Sequence, residues 1–146
     1  MRMNMMELNK ECMYCMKDNR RDDIMIEICE LEVSTVFLFK EQTYTGRCNV
    51  VYKDHVKELF ELDSQELAAY MNDVKKVAAA VDKAFQPGKI NYGAYGDKMH
   101  HLHMHIVPKY EGKADWGSTF EMNPGKTYLT DEEYKEIIET IKGSLK

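Results

Sequence analysis

The sequence lacks most of what would mark an exported, membrane-spanning or nucleic-acid-binding chain. Acidic side chains outnumber basic ones, 25 against 20, for a formal net charge of −5 in 146 residues. No basic run tracks a phosphate backbone, which argues against DNA or RNA as a partner. Nowhere do about 18 apolar residues run together, so no membrane span is expected. The Met-rich start, Met1 to Lys10, is interrupted by Asn4, Glu7 and Asn9, and is not the apolar core of a secretory leader. A cytoplasmic location is the expectation, and the four cysteines then read as thiols or metal ligands rather than disulfides. Internal repeats and low-complexity segments are missing too. Apolar content of 44% with 31% charged residues leaves an ordinary globular domain, residues 1–146 in one unit.

Histidine is also scarce, five in all, and that makes its placement informative. Three of the five fall within His101-Leu102-His103-Met104-His105, followed by Ile106, Val107 and Pro108. Alternation with period two is the mark of a half-buried strand, with three imidazoles on one face and Leu102, Met104 and Ile106 on the other. Along a strand, residues two apart are separated by about 6.6 Å and residues four apart by about 13 Å. Three rings so spaced do not easily share one ion at the roughly 2.0–2.1 Å a zinc–nitrogen bond requires. Divided labour among them is the expectation. His100 alternates to the opposite face and is assigned no chemistry.

Cys12-Met13-Tyr14-Cys15 is the second chemical signal. A C-x-x-C hairpin can place two thiolates on one zinc, and a closed site needs two further ligands. The redox alternative expects the pair to open a helix, whereas Lys17 to Asp23 reads as a polar turn. Metal binding therefore ranks ahead of redox chemistry and of plain structure. Cys29 and Cys48 lie in strand-like segments and read as buried thiols.

Strands are expected at Ile24–Leu31, Ser34–Lys40, Arg47–Tyr52, Lys89–Tyr92 and through the histidine run, with short links that favour antiparallel pairing. Asp63 and Glu66 form a capping box before a helix reaching about Phe85, where Pro87-Gly88 ends it. Its apolar stripe is Leu67, Tyr70, Met71, Val74, Val77, Ala78, Val81 and Phe85. Residues 109–126 read as an ordered loop containing Trp116 and Phe120. Thr130 and Glu133 cap a last helix with Tyr134, Ile137, Ile138 and Ile141 inward. The class is α+β, a mainly antiparallel sheet with helices to one side.

His101 to Val107 resembles the histidine-triad signature, His-φ-His-φ-His-φ-φ with φ apolar. Gly46 to His55, and Asn91 with Gly96, are similar to the same family's strand-Lys-x-His segment and phosphate-loop approach. Cys12 to Pro108 is the core covered by the likeness, and 109–146 add a loop and the last helix. The resemblance implies a five-stranded antiparallel sheet with two main helices, paired into a homodimer through the long helix and a strand. It implies an enzyme that hydrolyses or transfers at a nucleotide α-phosphate, through a covalent nucleotidyl-histidine on His103. Diadenosine tetraphosphate and AMP conjugates are substrates it implies. His105, Asn91, Gly96 and Lys98 are the matching positions for substrate contact, although Lys98 serves equally well as a solvated charge. By the same likeness Cys12, Cys15, His55 and His101 are the ligands of one structural zinc per chain, and the chemistry needs no cofactor.

Elementary chemistry supports the role given to His103. An imidazole with pKa about 6.5 is largely unprotonated at neutral pH and attacks phosphorus well. One nitrogen attacks, so the other must hold the proton, and His103 Nδ1–H is expected to donate to a nearby backbone carbonyl. Arg47 stands where many relatives have a further His; contact with a phosphate is one use for it, and a solvated charge, the commoner fate of an Arg on a strand, ranks first. Phe37 and Phe39 are candidates to line the base pocket, with core packing ranked first. Two other readings remain: a nucleotide-binding module with incidental phosphoramidase activity, and a catalytic metal held by His101 and His103.

Overall fold

The computed structural model describes residues 10–146, so the reading of Met1 to Asn9 as no leader lies outside the described residues. Five antiparallel strands are β1 (Met25–Glu30), β2 (Ser34–Phe39), β3 (Cys48–Tyr52), β4 (Lys89–Gly93) and β5 (His103–Lys109), in the sheet order β1-β2-β3-β5-β4. They agree with the expected strands except at the histidine run. There pairing starts at His103, because Val51↔His103 is the first β3–β5 pair, and His101 lies in the approach to the strand.

Two long helices cover one face of the sheet. The first, Ser64–Phe85, opens with the expected box: Glu66 N–H donates to Asp63 Oδ1 at 2.8 Å and Asp63 N–H to Glu66 Oε1 at 2.9 Å. It ends at Gln86, in the left-handed conformation before Pro87. The last helix, Asp131–Ser144, carries the same reciprocal pair between Thr130 and Glu133. Between these helices and the sheet lies the main core, with Val36, Leu38, Val50, Met104 and Ile106 from the strands against Tyr70, Val74, Val77, Val81 and Ile141. Leu67 and Met71 belong to the expected stripe, yet each is 36% exposed. Asp73 takes a buried place instead, accepting the Val33 N–H at 3.0 Å.

Two one-turn helices, α1 (Met13–Met16) and α2 (Asn19–Asp22), precede β1, where a polar turn was expected from Lys17 onward. Cys12 is the N-cap of α1, so the C-x-x-C pair does open a helix, although one of four residues only. With α2, α1 packs over the opposite face of the sheet, where Met13, Tyr14, Met25, Phe37 and Val51 form a second small core. Cys48 is fully buried as expected, whereas Cys29 is only partly so, at a register shift in the β1–β2 ladder. No helix among the described residues is long and apolar enough to cross a membrane.

Candidate functional site

Strand alternation sends Leu102, Met104 and Ile106 into the main core and leaves His103, His105, Val107 and Lys109 on the opposite face. Both histidines of the strand are buried, with ring centroids 5.1 Å apart and planes at 69°. His103 Nδ1 lies 2.6 Å from the His101 carbonyl oxygen. A carbonyl can only accept, so Nδ1 carries the proton and Nε2 holds a free lone pair. This is the bond expected from the sequence, made by the peptide of the histidine two residues back. Burial lowers the His103 pKa against the opposing effect of that bond, so the ring is neutral near pH 7.

Gly96 sits beside this ring at φ +114°, and a Cβ there would come within 3.6 Å of His103 Cε1 and 2.7 Å of the Met99 carbonyl oxygen. Asn91 pairs with Val107 in the ladder, which puts it on the same sheet face as His103 and His105. Lys98 is exposed on the loop that follows Gly96. Thus the sheet and its loop bring His103, His105, Gly96 and Asn91 to one face, and Lys98 stands at the periphery.

Arg47 departs from expectation. It is 1% exposed, because the strand face on which it lies is roofed by the 110–128 loop. Its guanidinium stacks 4.5 Å from the Phe39 ring and 5.2 Å from the Phe120 ring. Nη1 donates to the Met122 carbonyl at 2.9 Å, and Nη2 approaches His105 Nδ1 at 3.2 Å. Burial pulls the Arg47 pKa down to about 10, which leaves it charged at neutral pH. Burial first, then the positive charge of Arg47, pulls His105 down to about 3. Phe39 also departs from the expected core role: its ring lies parallel to that of His105, centroids 5.2 Å apart. Phe37 packs in the second core, as expected. One pattern in the sequence pointed to Arg47, its alternation with Asn49 and Val51 toward the face opposite Cys48 and Val50; polarity alone concealed it.

Beyond His105 on the same face, a cleft of about 370 Å³ is lined by Asn91, Lys89, Lys109, Trp116 and Ser118. Lys109 is buried, its Nζ donating to the Ser118 carbonyl at 2.6 Å.

On the other side of His103, four donors converge. Cys12 Sγ lies 3.3 Å from His101 Nδ1, Cys15 Sγ lies 3.3 Å from His55 Nδ1 and 3.6 Å from His101 Nδ1, and the two Nδ1 atoms are 3.2 Å apart. Zinc bonds of about 2.3 Å to sulfur and about 2.05 Å to nitrogen, arranged tetrahedrally, imply sulfur–nitrogen edges near about 3.5 Å and nitrogen–nitrogen edges near about 3.3 Å. The observed edges match. His101 Nε2–H donates to the Tyr52 carbonyl at 2.6 Å, which turns the Nδ1 lone pair toward the thiols. The four residues can therefore hold a metal. Burial raises the Cys12 thiol to about 11, the reverse of the depressed pKa that a reactive redox thiol needs. Between the two centres stands Tyr14, whose ring lies 5.3 Å from His101 and 5.5 Å from His103, with its oxygen accepting from Asn49 Nδ2 at 2.9 Å. Nothing in the C-x-x-C pattern itself marks Tyr14 as part of the site.

Known proteins resemble this chain in sequence and in fold. A model of the HIT domain matches residues 24–112. "Protein hit" of Bacillus subtilis (strain 168) is 30% identical, over 96% of this chain and 95% of its own length. Adenosine 5'-monophosphoramidase hnt1 of Schizosaccharomyces pombe is 27% identical over 92% of this chain and 98% of its own. The asymmetrical bis(5'-nucleosyl)-tetraphosphatase of the same yeast is 28% identical over 70% of this chain and 63% of its own. Among solved structures, a histidine triad protein of Sinorhizobium meliloti 1021 superposes with a TM-score of 0.80 at 26% identity, covering 87% of this chain and 94% of that one.

Proposed function

The chain belongs to the HIT domain family, and from that membership and the site geometry we propose that it hydrolyses or transfers a nucleotidyl group at the α-phosphate, through a covalent intermediate on His103. The observation that carries the reading is the His103 imidazole, with Nδ1–H tied to the His101 carbonyl and Nε2 free on the face it shares with His105. The lone pair on Nε2 attacks phosphorus, the bond to the leaving group breaks, and water then releases the nucleotide from the histidine. Asn91, His105 and the backbone at Gly96 stabilise charge on the phosphoryl oxygens. Lys98 adds positive charge at the rim.

The Cys12, Cys15, His55 and His101 cluster is assigned to one structural zinc per chain. Two thiolates and two imidazoles leave no open position, so the ion would pin α1 to the strand approach and take no part in the reaction. A homodimer is proposed through the long helix and β4. It is supported by the exposed apolar side chains Met71 and Tyr92, which border the groove between those elements.

The test is intact-protein mass spectrometry on samples quenched during turnover of diadenosine tetraphosphate or an adenosine phosphoramidate. An adduct of AMP mass is expected on wild type and not on His103→Ala. Binding without adduct or turnover on either substrate would sink the enzymatic reading in favour of a nucleotide-binding module. Zinc measured in the same samples should stay near one per chain in His103→Ala; its loss there would favour a catalytic metal instead.

A further inference from the structure

Arg47 stands behind His105 with a group that can donate and never accept. The guanidinium carries five N–H donors and keeps its charge in proteins, so the hydrogen atom between Arg47 Nη2 and His105 Nδ1 at 3.2 Å belongs to Arg47. His105 Nδ1 must then accept, and a neutral ring carries its one proton at Nε2. The remaining ring contacts to His105 come from Phe39, Tyr95, Phe120 and His103, none of which supplies a carboxylate that would draw a second proton onto it. Arg47 is itself held in place by the Phe39 and Phe120 rings and the Met122 carbonyl, and no carboxylate pairs with it among the described residues.

We propose that Arg47 is a positioning residue that holds His105 as a permanent Nε2–H donor, and that the site in consequence favours phosphoanhydride substrates over phosphoramidates. The second half rests on the nucleotidyl-transfer reading above. His103 and His105 thus carry opposite tautomers on one face: a free lone pair on His103 Nε2 and an N–H on His105 Nε2.

The consequence concerns where the leaving group's proton comes from. As the His103 Nε2–P bond forms, the P–O bond of an anhydride breaks and its electron pair departs on oxygen, leaving a phosphate anion that needs no proton. His105 stabilises that oxygen through a hydrogen bond and keeps its proton, because giving it up would leave an imidazolate. A phosphoramidate must instead release its nitrogen as an amine, which requires a proton transferred as the P–N bond breaks. A doubly protonated His105 could supply one; a His105 held neutral by Arg47 cannot, and the amine waits on solvent. In the second half of the cycle water attacks phosphorus, the P–N electron pair returns to His103 Nε2, and the surplus proton of the water passes to solvent.

The experiment pairs heteronuclear NMR of the imidazole nitrogens with kinetics on diadenosine tetraphosphate and adenosine phosphomorpholidate, for wild type, Arg47→Lys and Arg47→Met. In wild type His105 should show an unprotonated Nδ1 and a protonated Nε2 from about pH 5 to about pH 8, the range in which an ordinary histidine titrates. The ratio of kcat/KM should favour the anhydride by on the order of 100-fold, the low end of what general acid catalysis contributes. Arg47→Lys, which keeps a donor, should retain the tautomer. Arg47→Met should release it and narrow the ratio, changes that loss of packing alone would not produce. A His105 protonated at Nδ1 in wild type overturns the assignment of Arg47. Equal or greater activity on the phosphomorpholidate overturns the substrate preference. Inactivity on both substrates with the tautomer as described removes the nucleotidyl-transfer reading and leaves the role of Arg47 standing.

Discussion

At Gly96 the chain passes within reach of the His103 ring at a φ of +114°, and a methyl group would meet the Met99 carbonyl oxygen at 2.7 Å. Both facts forbid an ordinary side chain. Gly96→Ala is expected to cost about 1–3 kcal/mol of stability for the backbone conformation. Because the clash is with backbone, relief must come from moving the loop against His103, so kcat should fall more than stability accounts for. Urea unfolding with an unchanged slope, run beside initial rates, separates the two effects; a variant with wild-type kcat would show that the loop does not form the site. At this scale the sequence was readable where the pattern had a mechanism behind it. Alternation predicted the histidine faces, and the need for one protonated nitrogen predicted the His103 bond. Arg47 was misread because its burial depends on a roof contributed by Phe120 and Met122, more than seventy residues downstream. No local pattern carries that information.

Among the elements, α1 has the least claim to stability of its own. One turn of helix cannot persist in water, and α1 has only Met13 and Tyr14 buried. What fixes it is the convergence of Cys12 and Cys15 on His55 and His101, donors separated by up to 89 residues in the chain. Chelation is therefore expected to lower stability by at least about 4 kcal/mol, the linkage value for an ion present at a thousand times its Kd. Cys15→Ser should lose zinc and stability together. Tyr14 packs against both His101 and His103, so stripping the metal should also slow turnover without removing any catalytic group. Full stability in chelator would refute a structural zinc. The longer elements needed no such staple and were legible from their caps, as Asp63 with Glu66 and Thr130 with Glu133 show. Their boundaries held because a capping box specifies the first turn chemically. The start of β5 did not, because alternation continues through His101 while ladder pairing depends on where β3 ends.

For the molecule as a whole, the buried imidazoles tie stability to pH, and His105 gives the cleanest sign. Burial, and then the charge of Arg47, holds its folded pKa near about 3, against about 6.5 in an unfolded chain. Above pH 6.5 neither state binds the proton, and His105 contributes no pH dependence. As pH falls below that value the unfolded chain takes up a proton that the folded one refuses, so stability drops until the folded pKa is reached. The limiting slope is about 1.4 kcal/mol per pH unit, and between pH 7 and pH 5 the loss from this one group should be about 1–2 kcal/mol. Release of the proposed zinc would add its own loss of stability on acidification, since thiolates must be protonated as the ion leaves. A comparison with His105→Gln cancels that contribution, because the metal cluster is common to both proteins. Urea midpoints at pH 7 and pH 5 should therefore converge: the variant is less stable at neutral pH but loses less on acidification. Parallel losses in the two proteins would mean that His105 takes up its proton in the folded state, and that Arg47 does not keep its ring neutral.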